Sequence, residues 1–68
     1  RPPRVPEAIV GVLRELAGPG GRSVSLPEAL GVLGTRGFTP PQVWAALAEY
    51  EELHVLQVNP QRSKVTFV

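Results

Sequence analysis

FTPPQVWAALAEYEELH, residues 38–54, carries the fullest helix-start signature in the chain. Thr39 is a good N-cap, and Pro40 falls at the first helical position, where its missing N–H leaves no bond unmade. Gln42, three residues after the cap, can reach back as a capping box, and Phe38 can staple onto Val43 across the entry. Turning 100° per residue from Leu47 brings Val43, Ala46, Leu47, Tyr50 and His54 within about 60° of one direction. Leu53 lies at the edge of that face. Pro41, Ala45, Ala48, Glu49 and Glu52 lie opposite. The segment reads as an amphipathic helix of roughly four turns.

Its outward face bears on function. Glu49, Glu51 and Glu52 are three of the chain's six acidic residues, and the segment contains no Lys or Arg. A helix that enters a DNA groove needs donors for phosphates and base edges. This one offers carboxylates and alanine methyls.

On the C-terminal side, Val55-Leu56-Gln57-Val58 is apolar and β-branched, and Asn59-Pro60-Gln61-Arg62-Ser63 is turn chemistry. Lys64-Val65-Thr66-Phe67-Val68 alternates, so Val65 and Phe67 share a face and the two runs form a hairpin. On the N-terminal side, Gly37 is the natural left-handed residue closing an earlier helix. That helix follows a second capping box, Ser25 with Glu28, and repeats the i, i+3, i+4, i+7 spacing at Leu26, Ala29, Leu30 and Leu33. Two helices joined by so tight a turn read as helix-turn-helix. Ser23-Val24-Ser25 can pair as a single rung with a later strand. A first helix, opened by Pro6 or Glu7, has its face at Ile9, Val12, Leu13 and Leu16 and ends at Gly18-Pro19-Gly20-Gly21. That glycine-rich loop lacks the Gly-Lys-Ser/Thr of a phosphate cradle, because Arg22-Ser23 follows, and it reads as a flexible turn. Arg1 to Pro6, with three prolines, reads as an extended linker. The expected organisation is a linker over 1–6 and one α+β domain over 7–68. Its fold is a winged helix-turn-helix of three helices, a short strand and a C-terminal β-hairpin wing. The expected core is Ile9, Val12, Leu13, Leu16, Leu26, Leu30, Leu33, Phe38, Val43, Leu47, Tyr50, Leu53, Val58 and Phe67.

Sixty-eight residues make one small domain. Without cysteine, neither disulfides nor thiolate metal sites contribute to stability. A net charge of +1 argues for no nucleic acid, membrane surface or acidic partner by itself. No apolar run reaches the length of a membrane span, and no signal peptide is visible.

At Glu49-Tyr50-Glu51-Glu52-Leu53, at Gln57-Val58-Asn59 and at Arg62-Ser63-Lys64-Val65-Thr66-Phe67-Val68, the chain resembles a known family. The resemblance is to the C-terminal winged-helix domain of the eukaryotic minichromosome maintenance (MCM) replicative helicase subunits. It is close over residues 37–68; the first half agrees in layout and at Gly21-Arg22-Ser23-Val24. It implies that Val68 is the natural C-terminus and that an N-terminal domain and an ATPase domain precede this module. It also implies other helicase subunits and replication-licensing factors as partners, and a nuclear location.

No catalytic, cofactor-binding or metal site is expected. His54 has no second histidine to share a metal and is read as the C-terminal end of its helix, where a protonated ring suits the dipole. Trp44 falls about 100° from the centre of the core stripe. It either covers the edge of the core or forms a partner patch with Pro41, Ala45, Ala48, Glu49 and Glu52. Arg62 and Lys64, with Arg22 nearby, are read either as a solvated turn or as contacts to a phosphate backbone. Two functions follow. One is a monomeric protein-docking module that regulates a helicase, with weak or no duplex DNA binding. The other is a DNA-binding winged helix using the third helix and wing. The acidic helix favours the first.

Overall fold

The computed structural model describes residues 2–68; Arg1, the first residue of the expected linker, lies outside them. The order is α1 (Val5–Ala17), β1 (Ser23–Ser25), α2 (Leu26–Thr35), α3 (Pro40–Glu52), β2 (Leu56–Val58) and β3 (Lys64–Phe67). This is the α+β winged-helix layout expected from the sequence. α1 opens at Val5, inside the stretch read as linker. Pro6 is tolerated in a first turn, and the Arg4 carbonyl accepts the Ala8 amide at 2.9 Å.

The sheet is antiparallel with β3 in the centre, in the order β1-β3-β2. β1 makes three residue pairs rather than one rung: Ser23 with Thr66, Val24 with Val65, Ser25 with Lys64. On the other side Val58 faces Val65 and Leu56 faces Phe67. Alternation therefore turns Val24, Val65, Val58, Leu56 and Phe67 to the helices and leaves Ser25, Lys64 and Thr66 in solvent. This explains why the expected cap of α2 is missing. Ser25 is held in the sheet and makes no side-chain cap bond; the Leu26 amide instead donates to the Ser63 carbonyl at 2.9 Å.

At α3 the capping box is present. Gln42 Oε1 accepts the Thr39 amide at 2.9 Å, and the reciprocal approach of the Thr39 hydroxyl is in place but outside good hydrogen-bond geometry. Both α2 and α3 end in Schellman closures. After α2, the Phe38 amide donates to Leu33 and the Gly37 amide to Gly34, with Gly37 at φ 91°. After α3, the Val55 amide donates to Tyr50 and the His54 amide to Glu51, with His54 at φ 59°. α3 therefore stops at Glu52, and Leu53 and His54 leave its spiral.

Ile9, Leu13, Leu26, Leu33, Val43, Leu47, Leu56 and Val65 are the large side chains fully enclosed in the core. Val10, Val24, Ala29, Ala46, Leu56 and Val65 join the expected residues there. Leu16, Leu30, Phe38, Tyr50 and Val58 are half-buried around it. Two expectations are corrected. Leu53 is 63% exposed, since it lies past the last helical residue on the flank beyond the stripe. His54 is also exposed, because the left-handed turn carries it away from the apolar face. Around the glycine loop the chain is closely packed: a β-carbon on Gly21 would lie 1.8 Å from the Ala17 carbonyl oxygen.

The wing turn is organised by Asn59. Its Oδ1 accepts the Ser63 and Lys64 amides at 2.8 and 3.0 Å, and its Nδ2 donates to Gln61 Oε1 and Ser63 Oγ. The Arg62 amide closes on the Asn59 carbonyl, with Arg62 at φ 55°. Four-residue loops of this kind are built around a type I turn, and the left-handed position usually goes to glycine or asparagine.

Candidate functional site

The side chain at that left-handed position reaches back to α3. The Arg62 guanidinium carbon lies 5.5 Å from the centroid of the half-buried Trp44 ring, a cation–π distance. Trp44, read from the sequence as either core cover or partner patch, is half-buried against the core and also lines a groove under the wing. Leu47, Ala48, Glu51, Val58 and Arg62 complete that groove, which encloses about 280 Å³.

The carboxylates expected on one outward face are distributed over three directions. Glu51 points to the wing, where its Oε2 accepts the Val58 amide at 3.3 Å. Glu49 is half-buried and turns to the start of α1, 3.5 Å from the Arg4 guanidinium. Such an exposed pair contributes at most about 1 kcal/mol. Glu52 is left in solvent with Pro41, Ala45 and Ala48. The face of α3 away from the core therefore still carries no cationic side chain.

The three basic residues singled out from the sequence do not form one cluster. Arg62 bends over Trp44 on the helical side of the sheet. Lys64 pairs with Ser25 and points to the opposite, solvent side. Arg22 lies at the far end of the β1–β3 ladder, where its carbonyl accepts the Phe67 amide. Three residues of strand separate it from the Lys64 level, roughly 10 Å. Arg14, not considered from the sequence, covers the Phe67 ring at 4.7 Å.

Glu51 and Val58 are the site residues that sequence reasoning missed. The signal was present: Glu51 follows Trp44 by seven residues, two turns along the same flank of α3. Among the described residues, no three His, Asp or Glu side chains come together as a metal site requires. Nor, among the same residues, is any helix long and apolar enough to cross a membrane.

No protein-family model matches the chain. Individual proteins do. The chain is 46% identical over 69 aligned positions to the DNA replication licensing factor mcm7 of Xenopus tropicalis, and equally so to mcm7-A and mcm7-B of Xenopus laevis. Each alignment takes in 100% of this chain and 10% of the relative, so the chain spans a tenth of the length of the proteins it matches. With the helix order, the β1-β3-β2 sheet and the 46% identity over this chain in agreement, the chain is an MCM7-like domain of winged-helix layout.

Proposed function

We propose that the chain is the C-terminal regulatory, protein-interaction module of a DNA replication helicase subunit in the nucleus. It has no catalysis of its own and touches DNA weakly and non-specifically, through the wing. Its partners are other helicase subunits and replication-licensing factors. The observation that supports this reading is the charge on α3. The helix that would enter a groove carries Glu49, Glu51 and Glu52 and no Lys or Arg. Insertion would press carboxylates against phosphates. Arg62 is already stacked on Trp44, which leaves Lys64 as the unencumbered cation of the wing.

Duplex DNA titration by fluorescence anisotropy tests it. One phosphate contact from Lys64, or two when Arg62 leaves Trp44, gives a log–log salt slope of about −1 to −2. Binding is then largely lost at about 150 mM salt, where screening is physiological. Arg62→Glu with Lys64→Glu abolishes what remains, and Glu49→Lys with Glu52→Lys strengthens it without unfolding the domain. Sub-micromolar, sequence-specific binding by the unaltered chain at that salt overturns the reading in favour of a DNA-binding winged helix.

A further inference from the structure

The groove beneath the wing does not end at Glu51. A second open cavity of about 440 Å³, lined by Glu51, His54, Gln57, Val58 and Val68, adjoins the first and shares Glu51 and Val58 with it. Together they follow the outer edge of β2. That strand bonds to β3 through alternate residues: Val55 accepts the Val68 amide, and the Asn59 amide donates to Lys64. Antiparallel alternation therefore turns the backbone groups of Leu56 and Val58 outward, away from β3. An edge of this kind pairs readily with another chain unless something covers it. Here the cover at Val58 is one exposed carboxylate, Glu51. Its 3.3 Å bond is long for a charged acceptor, which usually sits at about 2.7–2.9 Å, so it is readily exchanged.

The charges along the groove are ordered. Glu51 stands at its middle, near the C-terminal end of α3, where the helix dipole adds negative potential and no lysine or arginine of α3 opposes it. The one arginine of the groove, Arg62, is at the far end and already faces Trp44. Between them the floor is apolar, from Trp44, Ala48 and Val58.

We infer that this groove binds an extended peptide segment of a partner protein that carries a lysine or arginine next to an apolar side chain. The apolar group sits on Trp44, Ala48 and Val58. The cation takes the Glu51 carboxylate, and the peptide backbone runs along the outer edge of β2 in the manner of strand addition. The inference rests on the protein-docking reading and names the chemistry of the partner.

The test is a selection of phage-displayed random decapeptides against the chain and, in parallel, against its Glu51→Lys variant. Peptides selected by the unaltered chain carry a lysine or arginine flanked by aliphatic or aromatic residues. On binding they shift the NMR signals of the Trp44 indole and the Val58 amide. Glu51→Gln weakens them by about tenfold, in line with loss of one charged contact. Ala48→Gln, which fills the floor from an exposed position, weakens them similarly. The Glu51→Lys selection inverts the preference to aspartate or glutamate. No enrichment, an unchanged preference in the variant, or mapping to Pro41 and Ala45 or to Leu53 and Val5 each overturns the inference. None of these outcomes bears on the DNA titration, so failure here is distinct from failure of the docking reading.

Discussion

Exchanging the residues at the two Schellman positions should move stability in opposite directions. The closures after α2 and α3 have the same hydrogen-bond pattern, yet one holds Gly37 at φ 91° and the other His54 at φ 59°. A side chain in the left-handed region costs roughly 1–2 kcal/mol. Glycine removes that cost but loses about 0.5–1 kcal/mol more than other residues when the chain is ordered. His54 is exposed, so His54→Gly forfeits little else. The net gain is about 0.5–1 kcal/mol. For a domain this short that raises Tm by roughly 2–8 °C. Gly37→Ala does the reverse and costs at least about 1 kcal/mol, because φ 91° lies outside the narrow left-handed well open to L-residues. Urea and thermal unfolding followed by circular dichroism measure both, with an unchanged m-value confirming that the effect is on stability. A His54→Gly variant that melts at or below the parent refutes the reasoning.

Leu47→Ala should cost about 2–5 kcal/mol, because the side chain is 1% exposed at the centre of the core. Leu53→Ala, by contrast, should stay within about 0.5 kcal/mol in the same urea assay. Gly21→Ala forces its loop away from the Ala17 carbonyl and should lower stability by about 1–3 kcal/mol, a strain-sized loss seen as faster hydrogen exchange at the Phe67 amide. Asn59→Ala removes the acceptor of two amides in the wing turn and should cost about 1–2 kcal/mol, with the Ser63 and Lys64 amides losing protection.

Where local chemistry decides, the sequence was readable. Thr39-Pro40 starts α3 with Gln42 in its capping box, Gly37 closes α2 in the left-handed region, and Val65 with Phe67 share the inner face of β3. The misread features depend on distant partners. Ser25 and Glu28 have the spacing of a capping box, but β3 claims Ser25 from 39 residues away. Leu53 has a near-helical position, but α3 ends at Glu52 and the left-handed His54 that follows turns the chain away from the apolar face. The core contributions of Val24 and Leu56 come from sheet register, which short runs do not specify. The site divides in the same way. The absence of cations on α3 could be counted from the sequence. That Arg62 folds onto Trp44 while Lys64 points the other way depends on the φ of one turn residue and on strand parity.

The central strand of the sheet is the last one made. β3 pairs with both β1 and β2, and its Val65 and Phe67 are buried in the core. During synthesis, α1, α2 and α3 leave the ribosome before any ladder exists. Val24 and Leu56 then have no strand partner until Lys64–Phe67 emerges, roughly a second or several after α3 at ordinary elongation rates. The sheet cannot assemble in instalments: both of its ladders wait for the same four-residue strand. A stop codon or proteolytic cut before Lys64 does not yield a wingless helix-turn-helix. It yields a nascent chain with an open apolar face, a substrate for chaperones and proteases rather than a shortened module.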